Sequence, residues 1–255
     1  MLSWLERRFS VREAGSDGKT EILAGITTFM TMAYIIFVNP SILSNTGMPF
    51  GPLMVATCLA SALATLCMAF LANYPIALAP GMGLNAFFAF GVVLGMGISW
   101  EVALAAIFLE GVLFILLTMT RLRESIVNGI PKSLKIGISA GIGLFIAFIG
   151  LQSAGIIVKN DAVLVGLGDL KSTPVLLAFL GFFLMVALEA RKVRGSILLG
   201  ILAITALSVV LGVSKAPEGI VSLPPSIAPI FGKMDFSMVG NANFWIVLFS
   251  FFLRF

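Results

Sequence analysis

Histidine is missing from this chain of 255 residues, only two cysteines occur, and charged residues make up just 11% of it. Without histidine, the chain lacks a common metal ligand and the side chain that titrates near neutral pH. Because there is no cysteine cluster either, we predict no transition-metal site and no cofactor. Cys58 and Cys67 lie on one predicted helix, roughly 13 Å apart along its axis, so they cannot form a disulfide with each other.

The scarcity of charge also argues against two functional classes. The sequence has no pair of acids within an apolar segment, no serine or cysteine nucleophile with a basic partner, and no phosphate-binding loop beside a strand. An enzyme is therefore not expected. The net charge of +4 comes largely from lysines and arginines between apolar runs, where membrane topology explains them. We therefore expect no nucleic-acid binding.

Apolar residues are what the chain has in abundance, since 59% are hydrophobic and the mean hydropathy is +1.10. These values predict an all-α polytopic membrane protein that contacts the lipid bilayer. A tail at residues 1–21 precedes a seven-span unit at 22–213, a polar loop at 214–242 and an incomplete eighth span at 243–255. The seven complete spans are expected at residues 22–43, 53–72, 76–97, 102–120, 136–154, 174–189 and 196–213.

Two local predictions accompany this layout. The first span should stop at Asn39-Pro40, because the residue before a proline is disfavoured in a helix. The loop at 155–173 is mixed in charge, and its pattern leaves a short helix and a strand equally open.

The positions of lysine and arginine predict the orientation in the membrane. Eleven lie on the side of the N-terminus, whereas four lie on the opposite side. The eleven are Arg7, Arg8, Arg12, Lys19, Arg121, Arg123, Lys132, Lys135, Arg191, Lys192 and Arg194; the four are Lys159, Lys171, Lys215 and Lys233. By the positive-inside rule, the N-terminus is cytoplasmic and the loop at 214–242 lies outside. We expect a multi-pass protein of the cell membrane, plasma or bacterial inner.

The third apolar run, IALAPGMGLNAFFAFGVVLGMG, contains residues that interrupt a helix. Pro80, Gly81 and Gly83 fall within it, and Asn85 follows at once. Irregular backbone at membrane depth occurs only where protein buries it or where it lines a polar cavity, so this break is a candidate substrate site. A helix that resumes at Leu84 or Asn85 directs its positive end and an amide toward the break. A simple kink that serves close helix packing is the alternative.

The residues around the break suit a small planar ligand, neutral or weakly acidic. Asn85 offers an amide, the break offers backbone groups, and Phe87 and Phe88 are nearby aromatic side chains. Thr28 belongs to a row of threonines in the first span that lines the same cavity in this interpretation, although such hydroxyls also bond back to their own helix. The predicted substrate-binding set is Gly81, Gly83, Leu84, Asn85, Phe87 and Thr28.

Glu110 is the only acidic residue in the middle of a predicted span. A carboxylate there costs a few kcal/mol on insertion scales, so it faces the interior of the helix bundle or is protonated. With histidine absent, Glu110 is the candidate for proton coupling. A neutral Glu110 that hydrogen-bonds a neighbouring helix is the structural alternative.

Three segments resemble a known family: TEILAGITTFMTMAYIIFVNP, ALAPGMGLNAFFAF and AAIFLEGVLFILLT. They are similar to guanine/hypoxanthine and adenine permeases of the AzgA-like branch of the nucleobase:cation symporter-2 family. The resemblance covers essentially residues 1–250. It implies fourteen spans in two inverted seven-span repeats, with a purine bound between the interrupted third and tenth spans. The family's binding asparagine matches Asn85, whereas its two key acids lie beyond this chain.

The resemblance makes proton symport of a purine nucleobase the leading functional hypothesis. This chain corresponds to the first repeat, which predicts a truncated polypeptide that is inactive alone. The alternatives are another inverted-repeat solute or anion transporter, or a membrane fragment that does not transport. The identity of the purine and the oligomeric state stay open, with a homodimer as one arrangement.

Overall fold

A computed structural model describes residues 6, 8–13, 15–119, 131–215 and 223–252. Of the residues used in the orientation argument, Arg7, Arg121 and Arg123 lie outside these ranges, as do the last three residues of the predicted eighth span. Helices fill most of the described chain: α1 (Gly18–Met32), α2 (Ile35–Leu43), α3 (Phe50–Cys67), α4 (Met82–Met96), α5 (Trp100–Met119), α6 (Lys132–Ser153), α7 (Thr173–Ala190), α8 (Ser196–Val210) and α9 (Ala242–Phe252).

Five helical segments of the described chain are long and apolar enough to cross a membrane. They are Gly18–Thr46, Phe50–Ala72, Trp100–Met119, Lys132–Ser153 and Thr173–Ala190. Two shorter apolar helices, α4 and α8, fall where the third and seventh spans are predicted. The chain is thus mostly helical and polytopic, as predicted, and the count of seven spans stays a prediction.

The first helical segment does not end at Asn39-Pro40, and this prediction was wrong. Helix α2 runs through Pro40 to Leu43 and passes into a 3-10 turn, Ser44–Thr46. A proline removes only one hydrogen bond from the helical ladder, and here its ring is fully buried, which offsets part of that cost. The interruption occurs earlier, between α1 and α2, where the Ile36 N–H bonds the Ala33 carbonyl at 3.1 Å.

The loop at 155–173 contains the exception to an all-helical fold. Strands β1 (Ile157–Asn160) and β2 (Leu164–Leu167) pair antiparallel, with Ile157 opposite Leu167. The Asn160 side-chain oxygen accepts the N–H groups of Ala162 and Val163 and closes the turn. Of the two conformations that the sequence left open, the strand is therefore the one formed, consistent with the β-branched Ile157, Val158 and Val165.

The chain divides into two compact units, each of which is discontinuous in sequence. Unit 1 comprises Met1–Phe37, Thr57–Ala79 and Leu151–Leu223. Within it, α7 and α8 pack through small residues, because a Cβ at Gly181 would lie 3.0 Å from Ile204 and one at Gly200 would lie 2.2 Å from Met185.

Unit 2 comprises Val38–Ala56, Pro80–Gly150 and Pro224–Phe255. Its hydrophobic core forms where α9 packs against α5 and α4. One face of α9 is fully buried, and the ring of Phe251 lies 5.1 Å from that of Phe87 on α4. This face consists of Phe244, Val247, Leu248 and Phe251, at the spacing of one helical stripe. The predicted incomplete span therefore contributes to the core of this unit.

Candidate functional site

The predicted interruption of the third span coincides with non-helical backbone at Pro80 and Gly81, whereas Gly83 lies inside a helix. Asn73, in the left-handed conformation with φ 55°, ends a π-helical extension of α3, and residues 73–81 are not helical. Helix α4 begins at Met82 after Gly81, whose backbone is extended at φ −76° and ψ 109°. The helix resumes slightly before Leu84 and Asn85, so the predicted start was late by two to three residues.

A threonine of unit 1 holds the extended backbone that precedes the break. The Thr65 hydroxyl on α3 accepts the N–H of Leu78 at 3.0 Å and donates to the Leu78 carbonyl at 3.3 Å. It therefore satisfies a backbone donor and a backbone acceptor that no helix satisfies. Thr65 is not among the residues predicted from the sequence, although a hydroxyl in an apolar run shortly before a predicted break is a signal for it.

Asn85 lies in the first turn of α4 and pairs with a second asparagine. Its backbone N–H bonds the Gly81 carbonyl at 3.2 Å, and its side-chain Nδ2 donates to Oδ1 of Asn39 on α2. Asn39 is only 3% exposed. The sequence pattern predicts only a helix end at Asn39, although a carboxamide inside an apolar span is itself a signal of function.

Asn85 also lines a cavity of about 510 Å³ in unit 2. The other lining residues are mostly apolar: Leu43, Met48, Leu53, Ala56, Phe88, Leu104, Ile107, Phe108, Ile227, Ile230, Phe231, Gly232, Lys233 and Met234. Many small-molecule sites have this volume and this combination of apolar walls with few polar groups. The segment from Ile227 to Met234 belongs to the predicted polar loop, and no residue of this loop is in the predicted substrate-binding set.

The remaining residues predicted around the break have packing roles in unit 2. Leu84 and Phe87 pack against the hydrophobic core, and Phe88 rather than Phe87 lines the cavity. Gly83 permits a close approach, because a Cβ there would lie 2.8 Å from Cγ2 of Ile142 on α6. At Gly81 the nearest atom to such a Cβ, on Leu84, is 3.8 Å away, so packing does not require glycine.

Thr28 belongs to unit 1 and lines a different cavity, of about 640 Å³. This cavity also includes Thr65, Tyr74 and Ile76. The Thr28 hydroxyl donates to the Ala24 carbonyl at 2.9 Å. Thr27 and Thr31 likewise donate to carbonyls of their own helix, which is the alternative left open for this row of threonines.

Glu110 is 3% exposed on α5, so it faces the interior, as predicted. Fully buried Ala103 and Ala106 lie on the same helical face at spacings of seven and four residues. Among the described residues, no hydrogen bond or ion pair to the Glu110 carboxyl is found. The structural alternative, a bond to a neighbouring helix, is therefore without support in this part of the chain.

Two carboxyl groups outside the membrane-spanning helices have perturbed pKa values. At Asp235, beside the cavity residue Met234, the Ser237 N–H donates to Oδ1 at 2.8 Å and holds the pKa of this carboxyl below its usual range. At Asp17, bonds from Thr20 at the start of α1 likewise lower the pKa. Both carboxyls are stabilised in the charged form, and neither suits proton transfer near neutral pH.

Within the described ranges, no group of three or more His, Cys, Asp or Glu residues is placed to hold a metal ion. The polar residues that line the unit 2 cavity are Asn85 and Lys233.

Comparison with known proteins gives a consistent family signal. A family model described as "Permease family" matches residues 19–253. The adenine permease AdeP of Escherichia coli (strain K12) is 47% identical over 249 residues, which are 98% of this chain and 56% of AdeP. The guanine/hypoxanthine permease PbuO of Bacillus subtilis (strain 168) is 44% identical over 250 residues, 96% of this chain and 58% of PbuO.

A third relative, MJ0326 of Methanocaldococcus jannaschii, is named only as a candidate permease. It is 56% identical over 252 residues, which are 99% of this chain and 58% of MJ0326. The chain thus spans a little over half the length of the curated relatives that it matches.

Proposed function

We propose that this chain, which belongs to the Permease family, forms the first half of a proton-coupled purine transporter. Two of its relatives are named as an adenine permease and a guanine/hypoxanthine permease. The chain is a membrane-embedded transporter sequence and not an enzyme. The proposal is carried by one observation. An amide at a helix break, Asn85, lines an apolar cavity large enough for a nucleobase.

The chemistry of Asn85 suits the edge of a purine. A carboxamide donates and accepts hydrogen bonds side by side, and adenine offers the complementary donor and acceptor at N6 and N7. Hypoxanthine offers an N–H and a carbonyl on adjacent atoms of its ring. Apolar side chains such as Phe88 and Ile107 cover the faces of a flat ring, while Asn85 sets its orientation.

Coupling to protons is assigned to Glu110 in this half. It is the buried acid of α5, and inward movement of one proton releases about 2.3 kcal/mol for each 100 mV of membrane potential. In this proposal, the polypeptide lies in the cell membrane with its N-terminus in the cytoplasm. The interrupted third span requires an inverted second half to complete a site at the membrane midplane.

A chimera tests the transport function directly. Residues 1–255 replace the matching part of AdeP, and the chimera is expressed in a host that lacks purine permeases. We expect saturable uptake of labelled adenine or hypoxanthine that collapses when a protonophore is added. Uptake that persists unchanged with the protonophore would remove proton symport, and inhibition by organic anions but not by purines would favour an anion carrier.

In the same chimera, Asn85→Ala should weaken uptake by roughly ten- to a hundredfold, because a lost buried hydrogen bond costs on the order of 1–3 kcal/mol. The measurement is initial uptake rate at several purine concentrations, corrected for the amount of protein in the membrane. Asn45→Ala is the matched control, since the Asn45 amide bonds only nearby carbonyls, at 2.8 and 3.0 Å. Normal transport by Asn85→Ala would refute the site.

A further inference from the structure

The second asparagine of the pair, Asn39, is buried in an otherwise apolar helix. Its neighbours on α2 are Val38 and the fully buried Pro40. An amide in such surroundings is costly unless it is hydrogen-bonded. The Asn39 oxygen accepts a hydrogen bond from Nδ2 of Asn85. Asn39 is not among the residues that line the cavity, whereas Asn85 is.

This bond constrains how Asn85 can present its amide. A carboxamide has two N–H donors and one acceptor oxygen, and rotation by half a turn exchanges their positions. The bond to Asn39 occupies one donor, so the nitrogen side of Asn85 is held toward α2. One N–H and the oxygen remain for a ligand, in a fixed order.

We propose that Asn39 is a positioning residue that fixes the donor–acceptor order of Asn85 and thereby sets which purine edge the cavity prefers. This inference rests on the proposed purine transport. At ring position 1 and the group on position 6, adenine presents an acceptor (N1) beside a donor (N6), whereas hypoxanthine presents a donor (N1–H) beside an acceptor (O6). A fixed amide therefore discriminates between these two edges, whereas an amide that can turn by half a turn matches either order.

The test uses Asn39→Leu, with Asn39→Ala as a second variant and Asn45→Leu as the matched control, in the chimera with AdeP. The KM values for adenine and hypoxanthine are measured together with the maximal rate per amount of protein in the membrane. Loss of one buried hydrogen bond predicts a KM for the preferred base about three- to tenfold higher. We expect the maximal rate to stay within about twofold and the ratio of the two KM values to move toward one.

A double-mutant cycle tests the pair without transport. The melting temperatures of four purified proteins are compared: the chimera, its Asn39→Leu variant, its Asn85→Ala variant and the double variant. If the two amides bond each other, the double variant loses less than the sum of the single losses. Additive losses would show that the residues act separately and would overturn the inference.

The remaining outcomes separate this inference from the function on which it rests. If the chimera transports purines but Asn39→Leu and Asn39→Ala leave both KM values unchanged, the positioning role is wrong and the proposed function stands. An equal rise in KM for Asn45→Leu would also overturn it, since this would indicate a general disturbance. If intact AdeP transports and the chimera with unaltered Asn39 does not, the proposed function fails, and the positioning role fails with it.

Discussion

At the scale of single residues, Glu110 is a carboxyl group buried in an apolar helix, which costs free energy, and proton coupling is the proposed reason for its presence. It is buried on an apolar helix beside alanines, with no described partner. Glu110→Gln keeps the shape and much of the hydrogen-bonding capacity but cannot exchange a proton. We expect a partial loss of proton-driven uptake in the chimera, measured with an imposed pH gradient.

The matched control for this substitution is Glu101→Gln in the first turn of the same helix, where the side chain is only partly buried. It should leave the response to the pH gradient unchanged. Uptake by Glu110→Gln that matches the parent at every gradient would confine Glu110 to a structural role.

Among the candidate site residues, the sequence points to Asn85 but not to its hydrogen-bond partner Asn39. Asn85 could be predicted because proline and glycines precede it in an apolar run. Asn39 is 46 residues away, and only the packing of α2 near the start of α4 brings the two amides together. The cavity wall was missed for the same reason, since Ile230 and Met234 come from a loop whose composition is polar.

At the scale of helices, small residues decide how closely α7 and α8 approach. Gly200→Ala places a methyl group 2.2 Å from Cγ of Met185, so the helices or the Met185 side chain must shift. We expect a loss of stability of about 1–3 kcal/mol, measured as a lower melting temperature of the purified chain.

Gly143→Ala on α6 provides the comparison for that prediction. No described atom lies within 4 Å of a Cβ built there, and alanine is the better helix former. Its melting temperature should be equal to or above that of the parent. If Gly200→Ala melts at the same temperature as Gly143→Ala, the close packing of α7 and α8 is not a determinant of stability.

The helices themselves were largely predictable, because each apolar run corresponds to a helical segment in the same order. Their ends were less predictable. The backbone preference of the residue before a proline predicts a helix end at Asn39-Pro40, but the helix continues past the buried proline ring to Leu43. The packing of α9 was also beyond sequence reasoning, since a short apolar run gives no sign of the helices that it will contact.

At the scale of the whole chain, the relatives that it matches are nearly twice as long, and half of the proposed site is assigned to an inverted second repeat. We therefore expect residues 1–255 alone to show no purine uptake above a vector control. In a polypeptide expressed as residues 1–255 alone, the predicted eighth span at 243–255 reaches about 20 Å as a helix, against a bilayer core of about 30 Å. Arg254, outside the described residues, adds a charge to this short segment.

The measurement is uptake of labelled hypoxanthine and adenine by a host that lacks purine permeases and expresses the isolated chain. AdeP is the positive control. Saturable uptake by residues 1–255 alone would contradict the inverted-repeat interpretation. Two copies in opposite orientations are not expected to rescue it, because eleven lysines and arginines lie on one predicted side and four on the other.

The two hydrogen bonds between Thr65 and Leu78 have a consequence for how the third segment inserts into the membrane during synthesis. A nascent chain leaves the ribosome from its N-terminus, and residues 73–81 cannot enter lipid with their backbone groups unsatisfied. Thr65, on the preceding helix, leaves the ribosome 13 residues before Leu78. We expect Thr65→Val to delay cotranslational insertion of the third segment, whereas Thr65→Ser should insert normally. Glycosylation reporters fused after residue 97 measure this, and equal insertion of both variants would contradict it.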